Sequence, residues 1–363
     1  MFRVGTISMV SVILIVSSVF AQQTITIGEF EFTPGGDFRT VYESYTHREE
    51  PEGLIFSDQD VDIDVARFNL TGKYGNILSA YVELGYPSNW LYLGYVDINL
   101  GRFTISSGFD FLPTGIEPST RDVDLHFIHR STAAYELTPF REPGVEFIMN
   151  PIFGEKDFIS ISLGLYEQFS VPTMNDFYIH GEDRRILLDL PYLVSLSSRP
   201  IDLVEISGYY GRDIKWWEIR EGDEWSERDC NVLTCYGLNA GFDIADIGFD
   251  IEYFYTHYIQ RGVYWWDREN YAAHGGQMSI YYRMPETGFL SLEPAFRIDI
   301  YDPDKHAEFD RTTTWTYGLN MYMIDDHLRL MLDYVHPAEE LEEEADRKPV
   351  VNDRFLASLQ ITM

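Results

Sequence analysis

The stretch YGLNMYMIDDHLRLMLDYV, Tyr317 to Val335, decides how this chain is read. Tyr317, Leu319, Met321 and Met323 fall on one parity, with Gly318, Asn320 and Tyr322 between them. After Ile324, Asp325, Asp326 and His327 the alternation resumes. Leu328, Leu330, Leu332 and Tyr334 take one side, and Arg329, Met331, Asp333 and Val335 the other. A period of two on both flanks of a short turn predicts a β-hairpin. One face is greasy and the other carries charge, so the two faces meet different solvents.

The same pattern recurs along the chain. Strand-like segments run over 36–46, 61–73, 77–86, 90–97, 99–105, 142–150, 157–168 and 185–196. They continue over 201–212, 232–242, 247–258, 275–284, 288–299, 313–323, 328–336 and 353–363, sixteen in all. Residues 24–32, TITIGEFEF, read as an extra strand or a plug-like lead-in. Connections near 75 and 98 and at 151–157, 197–200, 243–248, 285–287 and 324–327 are short. Those at 47–60, 106–141, 169–184, 213–231, 259–274, 300–312 and 337–352 are mostly long, and only 87–89 breaks the rule. Short turns at one end and long loops at the other predict an antiparallel up-and-down transmembrane barrel. A Greek-key sandwich would not sort its loops this way.

The faces agree. Ile159, Ile161, Leu163 and Leu165 oppose Ser160, Ser162, Gly164 and Tyr166. Phe249, Ile251, Tyr253 and Tyr255 oppose Asp250, Glu252, Phe254 and Thr256. Leu290, Leu292, Phe296 and Ile298 oppose Ser291, Glu293, Arg297 and Asp299. Sixteen strands enclose a space too wide to fill with side chains, so the apolar set is expected to face lipid and the polar set water. A parity switch between Val65 and Phe68 predicts a bulge near Ala66-Arg67, and Pro294 on an outward face forfeits a ladder hydrogen bond.

The N-terminus and composition fit export. A basic start, the apolar run Met9 to Val16 and Val19-Phe20-Ala21 read as a signal peptide over 1–21, with one barrel domain over 22–363. Gln22 at the expected new N-terminus is no lipid acceptor, and no later run suits a membrane helix. The formal charge of −32 argues against nucleic acid as a partner. Outer-membrane lipid and small solutes or ions are the expected partners. Cys230 and Cys235 leave a disulfide open: a loop would allow it, an extended strand would not.

Several segments resemble the phosphate-selective porin O and P family of outer-membrane channels. They are YLGYVDINLGRFTISSGFDF (92–111), FIHRS (127–131), REPGVEF (141–147) and the terminal DRFLASLQITM (353–363). The resemblance implies a homotrimeric, sixteen-stranded pore whose third external loop folds inward and constricts the lumen. Here that loop is 106–141, holding Arg121, Asp122, Asp124, His126, His129 and Arg130. The chain departs from the family's basic ladders, with 27 Lys plus Arg against 59 acids. Its lumen parity offers Glu83, Glu146, Glu205, Asp250, Glu252, Glu293, Asp299 and Asp333, against Arg67, Arg102, Arg283, Arg297 and Arg329. Rings of carboxylates favour cations, so phosphate selectivity is not carried over. The chain also ends in Met363 where the family ends in an aromatic residue.

Other features are weighed against plainer readings. Asp58, Asp60, Asp62 and Asp64 suggest a calcium site or, more simply, a solvated edge. His126 and His129 lack a third metal ligand, so loop lining or packing is preferred, and no metal or cofactor is expected. The acidic run 337–349 reads as a solvated loop. Trp pairs at 216–217 and 265–266 suit sugar stacking or an aromatic girdle equally. No nucleophile elbow or zinc-protease motif occurs, so the chain is expected not to be an enzyme. The alternatives to a channel are a non-conducting barrel serving as surface anchor or adhesin, and a soluble secreted carbohydrate-binding β protein.

Overall fold

The computed structural model describes residues 24–49, 54–86, 90–150, 158–171, 184–189, 191–201, 203–221, 224–261, 270–307, 310–324, 326–340 and 352–363. The expected signal peptide, the 87–89 connection and the Trp pair at 265–266 lie outside them.

The strands are β1 (Ile25–Ile27), β2 (Phe30–Glu49), β3 (Leu54–Tyr74), β4 (Leu78–Tyr86), β5 (Trp90–Asn99) and β6 (Phe103–Phe111). Then follow β7 (Arg141–Met149), β8 (Ile159–Tyr166), β9 (Arg184–Asp189), β10 (Tyr192–Ile201), β11 (Val204–Glu221) and β12 (Glu224–Ile244). The last six are β13 (Ile247–Arg261), β14 (Asn270–Tyr282), β15 (Leu290–Asp302), β16 (Thr312–Met323), β17 (Leu328–Glu339) and β18 (Arg354–Thr362). A short helix, α1 (Thr132–Leu137), lies between β6 and β7.

Every pairing is antiparallel; neighbours in sequence pair throughout, except that β8 pairs with β10 and β9 with β11, and β18 closes on β2 from Arg354↔Tyr45 to Thr362↔Asp37. Of the eighteen strands, β1 only extends β2, while β9 and β10 share one place beside β11, which leaves a closed barrel of sixteen. Residues 24–32 are therefore a hairpin extension and not a plug. The 317–335 stretch forms the expected hairpin, with Leu319 opposite Leu332 and Met321 opposite Leu330.

Burial divides the two parities as the sequence does. Tyr317 is 53% exposed while Asn320 and Met331 are fully buried. Leu163, Leu165, Leu238, Ile251, Ile280 and Leu359 likewise point out of the barrel, between buried or half-buried inward neighbours. Hydrocarbon is the environment that suits such a surface. The short turns cluster at one end, and the β12–β13 turn takes positive φ at Ala245 (46°) and Asp246 (69°), as a two-residue hairpin turn with matching twist requires.

Some boundaries differ from expectation. The strand expected at 99–105 runs instead from Phe103 to Phe111 as β6, while β5 extends to Asn99, so Phe109 to Phe111 are strand and the inserted connection is 112–140. Arg39 pairs with Val65 but Thr40 with Ile63, which puts the bulge at Asp64, before the expected Ala66-Arg67. The segments 47–60 and 213–231 are largely ladder and not loop, so Trp216 and Trp217 sit on β11. Cys230 and Cys235 both lie on β12, and five extended residues separate them by roughly 16 Å. A disulfide is impossible at that separation, and Cys235 is a free, buried thiol.

The lumen was expected to be water-filled around an inward-folded loop, yet an apolar cluster fills part of it. Leu193, Tyr209, Leu233, Phe254 and Tyr258 of the inner wall pack on Ala133, Ala134 and Leu137 of α1 and on Phe169 and Val171. A smaller cluster joins Ile128 to Val41, Met331, Val335 and Leu356. Two inserted segments thus give the inward apolar residues something to bury against.

Candidate functional site

The 112–140 connection lies against the inner wall, and its irregular backbone needs partners. Wall carboxylates supply them. Glu252 accepts from the amides of Ile116 (2.5 Å) and Glu117 (3.1 Å), Asp333 from Ile128 (2.7 Å), and Asp299 from Thr132 (2.7 Å) and Ala133 (3.2 Å). Wall donors serve the carbonyls: Asn320 donates to His126 (2.9 Å), Gln360 to Val123 (2.9 Å) and Thr256 to Leu137 (2.6 Å). The second inserted segment is held the same way, with Phe169 donating to Asp213 (3.1 Å) and Ser170 to Glu142 (2.7 Å). Glu252, Asp299 and Asp333, expected in a cation-attracting ring, therefore act as loop anchors.

Ion pairs complete the attachment. Glu117 meets Arg297 at 2.6 Å, with both side chains under a tenth exposed (8% and 5%), and also accepts from the Ser131 amide and hydroxyl (3.0 and 2.5 Å). Asp122 receives Arg67 (2.7 Å), Arg130 (2.8 Å) and the Tyr92 hydroxyl (2.6 Å). Burial works against charge on Asp122, but Arg130 and Arg67 outweigh it and hold the carboxyl below the usual aspartate range. The Tyr92 ring is flanked by Arg67 at 3.2 Å and Arg141 at 3.9 Å. Arg121 pairs with Asp37 and with Glu83 (3.3 Å), and Asp124 stands at 3.7 Å from it. Arg39 pairs with Asp64.

The remaining expected residues divide. His126 donates to or accepts from Glu293 at 2.9 Å and stacks on Tyr281, while His129 is exposed. Arg329 is buried and reaches the Val123 carbonyl at 3.4 Å. Asp250 accepts from Ser279 at 3.5 Å, Arg283 pairs with Asp326, and Glu205 pairs with Arg199 at 2.5 Å. Arg102 is misplaced by the sequence reading: it is exposed in the β5–β6 turn, because β6 starts only at Phe103. Asp60 and Asp62 are exposed and accept from the next residues' amides (2.8 and 2.7 Å), as a solvated edge would. Glu117, Asp37, Arg39 and Tyr92 were missed. Asp37 and Arg39 share the inward parity of β2 with Val41 and were legible; Glu117 sits in a loop with no periodicity to expose it.

Part of the space the loop leaves open lies against β4–β11. A cavity of about 600 Å³ runs there between Leu112, Pro113 and Ser119 of the loop and Tyr95, Asp110, Glu146, Ser162 and Glu205 of the wall. A second, of about 570 Å³, opens toward the short turns beside His126, Asp243 and Arg329, and a third, of about 440 Å³, toward the long loops beside Glu43 and Arg354. A barrel greasy outside, with open space above, below and beside an inserted loop, is porin architecture.

Residues 258–362 match the family model described as phosphate-selective porin O and P. The match runs from the end of β13 through β18 and includes the terminal strand on which the resemblance partly rested. Among solved structures, the outer membrane channel DcaP of Acinetobacter baumannii is 10% identical, with a TM-score of 0.62 over 93% of this chain and 99% of that one. OmpT, an outer membrane protein of Vibrio cholerae, is 9% identical, with a TM-score of 0.60 over 94% and 100%. An anion-selective porin from Comamonas acidovorans is 10% identical, with a TM-score of 0.59 over 92% and 100%. At such identities the likeness is one of fold. No curated protein matches in sequence.

Proposed function

We propose that the chain is an outer-membrane porin, a passive diffusion channel for small hydrophilic solutes or ions that prefers cations and carries out no chemistry. It acts as a homotrimer, exported by its N-terminal signal peptide. The observation that carries the reading is the cavity, lined by serines and carboxylates, beside an inserted loop, within a wall whose outer face is apolar.

Cation preference has a narrower basis than a ring of acids. Asp110 and Glu146 line the cavity, and neither forms a salt bridge with a described residue. Arg121, the cationic side chain lining the same cavity, is already shared between Asp37 and Glu83. Arg67, Arg130 and Arg297 are likewise matched with acids, so these guanidiniums offer phosphate little free charge. Uncompensated carboxylates along a narrow aqueous path raise the local cation concentration.

Planar bilayers with a KCl gradient test this. The native chain should give a reversal potential of cation-selective sign. Asp110→Asn with Glu146→Gln should move it toward zero, most visibly at low salt. Anion selectivity, or a potential unmoved by the double substitution, rejects the preference.

A further inference from the structure

The cavity against β4–β11 has a lining more specific than a diffusion path requires. Its far wall is a hydroxyl surface. Ser162 and Ser195 face each other across β8 and β10 with their oxygens 2.7 Å apart, and one row below, Ser160, Ser197 and Ser207 stand in register across β8, β10 and β11. Each serine alternates with an outward apolar residue such as Leu163, Leu196 or Ile206, so the hydroxyls are all on the lumen side. A serine hydroxyl both donates and accepts, which suits it to sugar-like hydroxyls of either polarity.

The near wall is anionic and aromatic. Asp110 on β6 and Glu146 on β7 offer carboxylates, and Tyr81 and Tyr95 on β4 and β5 line the cavity as a stacked pair with centroids 5.6 Å apart. Carboxylates and ring faces together recognise an ammonium group. The volume lies in the range of small-molecule sites, roughly 300–1,000 Å³. A bare metal ion is a poorer match: among the described residues, no three His, Cys, Asp or Glu side chains come together as a ligand set.

We propose that this cavity binds small hydroxylated primary amines, the chemical class of an amino sugar, with the ammonium at the acidic wall supplied by Asp110 and Glu146 and the hydroxyls on the serine rows. The site rests on the channel reading for its biological use but not for its chemistry. It gives the channel a substrate class beyond a general preference for cations.

Calorimetry on the detergent-solubilised full chain tests binding independently of conduction. Glucosamine should bind, and N-acetylglucosamine, which keeps most hydroxyls but loses the charge, should bind at least about tenfold more weakly. Asp110→Asn and Glu146→Gln should each weaken glucosamine by about tenfold, with unchanged strand content by circular dichroism. Ser162→Ala with Ser195→Ala should weaken glucosamine but leave ethylammonium, which lacks hydroxyls, unaffected. Equal binding of the two sugars, or no glucosamine binding, overturns the site. In bilayers, conduction without glucosamine block overturns the site and leaves the channel. Binding by a chain that never conducts overturns the channel and leaves the site.

Discussion

Removing the cation from the buried Glu117–Arg297 pair should release the inserted loop locally. Glu117 and Arg297 meet at 2.6 Å with 8% and 5% of their side chains exposed, so Arg297→Met strands a carboxylate in a dry site. Breaking one partner of a buried pair costs about 3–5 kcal/mol. The Glu117 carboxylate keeps its bonds from the Ser131 amide and hydroxyl, which argues for the lower end. About 3 kcal/mol is a factor of roughly a hundred in a local opening equilibrium. The other anchors, at Glu252, Asp299 and Asp333, stay in place, so the barrel itself should hold. Hydrogen–deuterium exchange on peptides covering 127–134 should then accelerate by about a hundredfold while strand peptides keep their protection. Glu117→Gln in the same chain removes the stranded charge and should recover most of the protection. Exchange within a factor of two of the native chain in Arg297→Met would refute the claim that this pair fixes the loop.

Three further outcomes are expected. Asp122 has a folded-state pKa below the usual aspartate value, so its contribution is complete at neutral pH and is lost only as pH falls below about 4. Thermal midpoints of native chain and Asp122→Asn should therefore differ at pH 7 by an amount that begins to narrow between pH 4 and pH 3 without vanishing there; a difference constant down to pH 3 contradicts the pairing. Gly144→Ala would place a Cβ 2.6 Å from the Leu165 carbonyl and against the Tyr166 ring, and should cost about 1–3 kcal/mol of stability in urea titrations. Cys235, fully buried in the lumen cluster, should resist maleimide in the folded chain and react once unfolded; rapid labelling of the folded form would mean that the cluster is wet.

The wall of this protein is written in its sequence because strand periodicity is local: Leu328, Leu330 and Leu332 declare their side without reference to anything distant. The inserted segments are not local. Phe254, Tyr258 and Leu233 sit on the inward parity and look like flaws in a polar face until Phe169 and α1 pack on them. Glu252, Asp299 and Asp333 were placed on the correct face, but their role depends on amides more than a hundred residues away in sequence. Arg102 was misplaced for a local reason, since alternation carried one turn too far makes a turn residue look like a strand residue. The free state of Cys235 followed only once β12 was seen to be extended through both cysteines.

Which side of the wall meets hydrocarbon decides whether the barrel works as a channel. In a chain with Cys230→Ala and Cys235→Ala, a single cysteine carrying bimane at Leu238 or Leu359 can be compared with one at Asn239 or Ser358 in bilayers of brominated lipid. Strong quenching at Leu238 and Leu359, with little at Asn239 and Ser358, is the predicted result. Quenching that is equal at neighbouring positions, or stronger at Asn239 and Ser358, would contradict it.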